Sequence, residues 1–347
     1  MTDVPVLKVD RLTTRFQTGY GTVTAVDGVS FTVDRGQTLG VVGESGSGKS
    51  VTALSVMRLV PHPGRIESGS VQLNGEELLD LDDEAMRRHR GAHLGMVFQN
   101  PMTALNPAFS TGWQMQEALR AHGAGRGAAA GTRVQHALAE VGMPDPARQA
   151  ASFPHQMSGG MRQRVVVALG MLNEPQLLIA DEPTTALDVT IQAQVLNVMK
   201  DLTQGHGTAL LLITHNMGVI AKMCDRVAVM YAGEIVEEAS VDQLFEDPRH
   251  PYTWGLLRSI PRADQGRGQL HTLPGAPPDM SRPMTGCRFR ARCALVEERC
   301  STHPELLAVD TGHLTRCWVT QSGRSPATPD AGSESALGPV QAVPLGR

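Results

Sequence analysis

The chain of 347 residues has room for about two to three domains, and its 41% hydrophobic and 19% charged content supports a packed core and excludes wholesale disorder. A net charge of −4 excludes a protein built around a basic nucleic-acid face. Of 31 Lys and Arg only Lys8, Lys49, Lys200 and Lys222 are lysines, so a Lys inside a Gly-rich loop stands out.

Residues 5–16 and 22–33 read as two strands joined by a Gly-rich turn at Thr18–Gly21. Thr38–Gly43 is a short apolar run, a buried strand, and a helix-like stretch from Lys49 to Val60 stops at Pro61 and Pro63. Ser68–Gly75 alternates and ends in Asn-Gly, the mark of a hairpin. Leu94–Gln99 is a further strand. From Pro101 to Pro154 helix formers dominate, at 113–121 and 132–142, with a flexible link at 121–131. Leu177–Ala180 and Ala209–Thr214 have the composition of central parallel strands. Val227–Met230 and Glu234–Val236 form a last hairpin across Ala232-Gly233. Past Pro261 the texture turns to Pro, Gly, Arg and Cys, and 321–347 is Ser-, Pro-, Gly- and Ala-rich, a disordered tail.

No apolar stretch approaches the roughly 20 residues that cross a bilayer. The start lacks the layout of a signal peptide, which predicts a cytoplasmic chain with reduced thiols.

Gly43-Glu44-Ser45-Gly46-Ser47-Gly48-Lys49-Ser50 satisfies G-x-x-x-x-G-K-S between a predicted strand and a predicted helix. Glycines let backbone N–H groups converge on phosphate oxygens at a helix N-terminus, where the dipole also favours an anion. Lys49 would reach the β- and γ-phosphates and Ser50 would ligate Mg²⁺, so the loop predicts binding of ATP or GTP. Leu177-Leu-Ile-Ala-Asp181-Glu182 places an acid at the end of an apolar strand. Asp181 would hold Mg²⁺, and Glu182 would polarise an attacking water.

Met157-Ser158-Gly159-Gly160-Met-Arg-Gln163-Arg lies just upstream of that strand. This segment resembles the signature of ABC (ATP-binding cassette) ATPases. The family's other motifs follow in order: phosphate loop, Gln99, signature, Asp181-Glu182, Ala186-Leu-Asp188 and His215. The resemblance covers residues 6 to about 260 and implies an α/β fold. That fold is a P-loop ABC ATPase cassette with a RecA-like core, an antiparallel β subdomain and an α-helical subdomain at about 101–160.

By the same resemblance, Ser158, Gly159, Gly160 and Gln163 would contact the γ-phosphate of an opposite cassette in a head-to-tail dimer with two ATPs. Gln99 would sense Mg²⁺ and the γ-phosphate, and the loop after it would run toward the membrane partner. His215 would be the switch histidine, a role resting on the resemblance because a lone His after a strand is ordinarily structural. Asp188 would lie in the loop between the two ATP sites. Phe16 resembles the adenine-stacking aromatic, with Tyr20 as a competitor and core packing as the plain reading. Two positions depart from the family: Met157 replaces the commoner Leu, and Asn216 stands where many relatives have Asp.

His250-Pro-Tyr-Thr253, Leu256-Leu257 and Ser259-Ile-Pro261 resemble the region that follows the cassette in oligopeptide and dipeptide importers, with nickel, opine and glutathione importers as near relatives. That resemblance implies a division into 1–260 (nucleotide-binding domain), 261–320 (a small Cys-rich C-terminal extension) and 321–347 (tail). It also implies a homologous second ATPase subunit, two membrane-spanning permease subunits, an external solute-binding protein, and a peripheral place on the cytoplasmic face of the membrane. No nucleic-acid partner is expected.

Cys287, Cys293, Cys300 and Cys317, spaced C-x₅-C-x₆-C-x₁₆-C, would suit a soft metal centre. The spacing matches neither tight zinc pairs nor the ferredoxin patterns. Resemblance to importer ATPases that carry a [4Fe–4S] cluster favours iron–sulfur, with Zn²⁺ and unligated thiols as the alternatives. Cys224 reads as an ordinary packed thiol. Two rival readings remain: a soluble ABC ATPase in DNA repair or translation, and a redox or nucleic-acid module at the cysteines with a regulatory cassette. The stretch between Lys49 and Ser158 lacks the sustained heptads of repair ATPases, the chain holds one cassette where translation types hold two, and no basic run supports the last reading.

Overall fold

The computed structural model describes residues 4–19, 21–123, 127–185, 187–260, 273–282, 284–324 and 326. Tyr20, Ala186, part of the 121–131 link and nearly all of the 321–347 tail lie outside these described residues. In chain order, β1 (Leu7–Thr18) and β2 (Gly21–Val33) precede β3 (Thr38–Val42) and α1 (Lys49–Val56). Next come β4 (Gly64–Leu73), β5 (Glu76–Glu77), α2 (Asp83–His89) and β6 (Leu94–Val97). A helical stretch follows: α3 (Pro101–Ala104), α4 (Thr111–Ala121), α5 (Ala128–Glu140), α6 (Pro146–Ala151) and α7 (Gly159–Met171). Then β7 (Leu177–Asp181), α8 (Val189–His206), β8 (Ala209–Ile213), α9 (Met217–Met223), β9 (Arg226–Tyr231) and β10 (Glu234–Ser240) alternate. The chain continues with α10 (Val241–Glu246), α11 (Pro251–Arg258), β11 (Leu307–Asp310), β12 (His313–Thr315) and α12 (Trp318–Gln321).

Two compact units interleave along the chain. The first gathers Thr32–Thr38, Ser70–Ile213 and the start of the chain to Lys8; the second gathers Val9–Phe31, Leu39–Gly69 and the chain from Thr214 onward.

In the first unit β6, β7 and β8 run parallel, in the registers Leu94↔Leu177 and Leu177↔Ala209. Every residue of β7 and β8 is buried, as unbroken Leu, Ile and Ala runs require when helices cover both faces of a sheet. The Asn74-Gly75 turn between β4 and β5 has both residues at positive φ, 48° and 86°, the conformation expected of an Asn-Gly hairpin. Helices α4 to α7 pack on one another. Gly112 permits a close approach of α4 to α6, since a Cβ there would stand 2.7 Å from the Ala150 carbonyl oxygen. Ser110, Ser158 and Asp188 cap α4, α7 and α8 by accepting a backbone N–H of the first turn, which explains where these helices begin.

In the second unit β1 is hydrogen-bonded between β2 and β4. Strand β3 is parallel to β9, β9 pairs antiparallel with β10, and β10 pairs with β12, which closes a hairpin with β11. The chain beyond residue 273 therefore adds strands to the edge of β10. It also contributes Phe289 to a core with Val42, Val229, Tyr231, Leu244, Tyr252 and Leu257. Helix α1 ends at Val56, four residues short of the sequence expectation, because Arg58 takes a left-handed φ of 50°. Among the described residues no helix is long and apolar enough to cross a membrane.

Candidate nucleotide site

In the second unit, β3 runs directly into the phosphate loop and the loop into α1. Two glycines are sterically required. A Cβ on Gly43 would lie 2.1 Å from the Met230 carbonyl oxygen, and one on Gly48, at φ 104°, would lie 2.3 Å from that of Ala25. Lys49 is buried and its Nζ spans the loop, donating to Gly43 O at 2.8 Å, Glu44 O at 2.9 Å and Ser47 Oγ at 3.4 Å. Gly233 N donates to Ser47 O at 2.9 Å, so the β9–β10 turn braces the loop. Ser45 and Gly46 are exposed at its tip, and Ser50 sits in the first turn of α1.

Phe16, the aromatic expected to stack on adenine, is half-buried beside Gly64, where a Cβ would stand 2.5 Å from its ring. His215 is exposed just past Thr214, whose N–H donates to Val41 O at 3.1 Å. Asn216 caps α9 by accepting from Gly218 and Val219 N–H. Asn and Asp cap equally well, so this departure from the family costs the fold little.

In the first unit, Asp181 ends β7 buried, and Glu182 follows at a positive φ of 45° with its N–H donating to Ile213 O at 2.8 Å. The Glu182 carboxylate oxygen Oε2 accepts from Gln99 Nε2 at 3.0 Å and from Thr185 Oγ1 at 2.9 Å. Gln99 and Glu182, remote in sequence, are thus brought into contact, and Thr185 is a partner that motif spacing did not reveal. Ser158 and Gly159 are exposed at the start of α7, and the Ser158 hydroxyl accepts from Met161 N–H at 3.3 Å. Gly160 lies close against α8, where a Cβ would meet Ile191 Cγ2 at 2.5 Å. Gln163, within α7, is 1% exposed, in contrast to the exposed Ser158 and Gly159 at the start of that helix. Asp188 is exposed at the N-cap of α8.

A profile described as "ABC transporter" matches residues 26–185, and one described as "Oligopeptide/dipeptide transporter, C-terminal region" matches 236–300. The oligopeptide transport ATP-binding protein OppD of Bacillus subtilis is 47% identical over 317 residues, covering 90% of this chain and 88% of that protein. This chain belongs to the ATP-binding subunits of ABC transporters, in the oligopeptide/dipeptide branch. OppD of Mycobacterium bovis is 48% identical over 93% of this chain, which spans 53% of that relative's length. Among solved structures, the dimeric ATP-binding cassette MJ0796 in a post-hydrolysis state bound to ADP and phosphate superposes with a TM-score of 0.61. It is 26% identical and covers 68% of this chain and 98% of its own. The cassette fold expected from the motifs is therefore present.

The branch-specific tail of this cassette reaches the phosphate loop. His250 caps α11, Pro251 takes its first position, and Tyr252 is buried with its Oη accepting the Glu44 N–H at 2.8 Å. Burial pushes the His250 imidazole down to about 3, so it is neutral, and its Nδ1 accepts from Tyr252 N–H at 3.1 Å. Arg292, from the Cys-bearing segment, forks onto the Glu44 carboxylate at 2.6 and 2.9 Å. Arg288 from the same segment pairs with Asp27 and Glu234 and donates to Ala232 O in the β9–β10 turn.

Magnesium, the partner of ATP in this family, takes hard oxygen ligands: the second unit offers the Ser50 hydroxyl at the start of α1, and the first unit, by itself, the buried Asp181 carboxylate. The thiol cluster does not support a metal in the same way. All five cysteines are free. Burial raises the Cys287 thiol to about 11 and the Cys293 thiol to about 12, and the nearby Cys300 and Cys317 add to both shifts. The four side chains therefore gather, yet among the described residues no group of three or more His, Cys, Asp or Glu is placed to hold a metal ion. Neither the [4Fe–4S] nor the Zn²⁺ expectation for Cys287, Cys293, Cys300 and Cys317 is supported. What the segment does have is a packed interior, with Phe289, Cys300 and Cys317 buried. Cys224 packs beside Gly40, as an ordinary thiol would.

Proposed function

We propose that this chain binds ATP on its phosphate loop, closes against a second cassette and hydrolyses the nucleotide to drive import of oligopeptides through a membrane permease. The observation that carries the reading is the loop itself. A buried Lys49 is held across it, and its glycines admit no side chain where Met230 and Ala25 approach.

In this reading, the backbone N–H groups of Ser45 to Lys49, the Lys49 ammonium and the α1 N-terminus take the phosphates. Ser50 and Asp181 would hold magnesium, which supplies neutralising charge at the phosphates. Glu182 takes a proton from the attacking water while Gln99 and Thr185 hold its carboxylate in place. His215 would contact the γ-phosphate, and Asp188 would relay between the two sites. The exposed Ser158 and Gly159 would complete the site of the opposite cassette. No step runs through a metal at the cysteines.

The peptide substrate is supported by the OppD relatives and by the match to the C-terminal region. A permease partner is supported by an exposed aromatic surface beside the Gln99 loop. Phe109 and Trp113 stack with ring centroids 4.0 Å apart, and Gln114 ties the preceding turn to α4. We place the chain at the cytoplasmic face of the membrane, with residues 1–260 as the cassette, 101–160 as its helical part, and 261–320 as the extension. A homologous second ATPase and an external solute-binding protein complete the assembly. Purifying the chain from its native membrane and identifying co-purifying subunits and bound solute tests this. Two permease chains and peptide are expected, and recovery with nucleic acid or ribosomes would contradict it.

A further inference from the structure

Glu44 is a carboxylate inside a loop built to receive polyphosphate, and every polar group of this residue is tied down. Its carbonyl accepts from Lys49 Nζ, its N–H donates to Tyr252 Oη, and its carboxylate takes both Nη groups of Arg292. The side chain of Arg292 is 5% exposed. Its Nε donates to Pro274 O at 2.7 Å, and its guanidinium lies 5.7 Å from the Tyr231 ring centroid and 5.9 Å from that of Phe289. Such a buried, planar fork fixes a carboxylate in both charge and direction, which a lysine cannot do. The loop residue that touches Lys49 is therefore held from a segment 248 positions later in the chain.

We propose that Arg292 is a positioning residue for nucleotide binding. It neutralises and pins the Glu44 carboxylate, so that ATP meets Lys49 and the loop N–H groups without a free like charge beside them. Tyr252 assists by fixing the Glu44 backbone. The C-terminal segment thereby becomes part of the nucleotide site's support. This inference rests on the reading that the loop binds ATP, and the experiment separates the two.

The full-length chain is titrated with a fluorescent ATP analogue and Mg²⁺, comparing wild type, Lys49→Ala, Arg292→Met and the double variant Arg292→Met/Glu44→Gln. Wild type binds and Lys49→Ala does not. Arg292→Met weakens affinity about tenfold, as loss of the buried partner of a charge-assisted pair does. Removing the stranded carboxylate in the double variant restores affinity to within about threefold of wild type. A merely structural arginine would give no such rescue. Unchanged affinity in Arg292→Met, or a double variant as weak as the single, overturns the inference while leaving ATP binding intact. Failure of wild type to bind, or binding by Lys49→Ala, overturns the underlying reading as well. Should Arg292→Met not fold, judged by circular dichroism, Arg292→Lys carries the test. It keeps the charge without the fork and is expected to lose about threefold, and unchanged affinity there overturns the proposal.

Discussion

Gln99 Nε2 donates to Glu182 Oε2 across 3.0 Å, joining the loop after β6 to the acid that follows β7. The same oxygen accepts from Thr185 Oγ1 at 2.9 Å, so both donors fix where the carboxylate points. Replacing Glu182 with Gln keeps the side-chain oxygen but removes the proton acceptor. Turnover by the assembled transporter is expected to fall at least about a hundredfold with nucleotide binding retained, and the closed dimer to accumulate. Steady-state phosphate release beside nucleotide titration checks this, and brisk turnover would remove Glu182 from the base role.

Ser158 caps α7 from an exposed position. Ser158→Arg costs the cap, about 1 kcal/mol, and puts a bulky side chain where the opposite nucleotide would dock. Hydrolysis in the assembled transporter is expected to be lost while the variant's own loop still binds ATP. Unchanged phosphate release would mean the signature is not used across the dimer.

Gly43 admits no Cβ, since the Met230 carbonyl oxygen would lie 2.1 Å away. Gly43→Ala is therefore expected to lower stability by about 3 kcal/mol through forced backbone movement and to abolish nucleotide binding. Urea unfolding of the pure chain reads the first effect and nucleotide titration the second.

His250 is buried and neutral, its pKa lowered by burial from 6.5 to about 3. Between those values the unfolded chain binds a proton that the folded chain refuses. The stability this site contributes is thus complete above about 6.5 and is lost as pH falls toward 3, by at most about 1.4 kcal/mol per pH unit. His250→Asn keeps an acceptor for Tyr252 N–H but does not titrate. Urea midpoints at pH 7 and pH 5 should fall further for wild type than for the variant, and equal losses would contradict the assignment.

The phosphate loop, the acidic strand end and the signature were legible in sequence because each is a local pattern whose geometry follows from its own neighbours. The parallel strands were legible for the same reason, since unbroken apolar runs have few other places to go. Helix α1 was overread because nothing in Arg58 announces its left-handed backbone. The burial of Gln163 was not legible, because membership of a motif does not decide which face of a helix a side chain occupies. The contacts of Arg292 and Tyr252 with Glu44 were invisible, as long-range side-chain pairing leaves no spacing to read. The cysteines suggested ligands by their clustering and by the family resemblance, whereas the segment they occupy packs through Phe289 and ties down through Arg288 and Arg292.

ATP-driven uptake tests the central claim most directly. The chain is reconstituted in liposomes with its permease subunits, its second ATPase and the solute-binding protein, and labelled oligopeptide is followed into the lumen. Accumulation should require ATP on the cassette side and disappear with Glu182→Gln. Uptake that persists in that variant, or ATP hydrolysis that moves no peptide, would contradict the account.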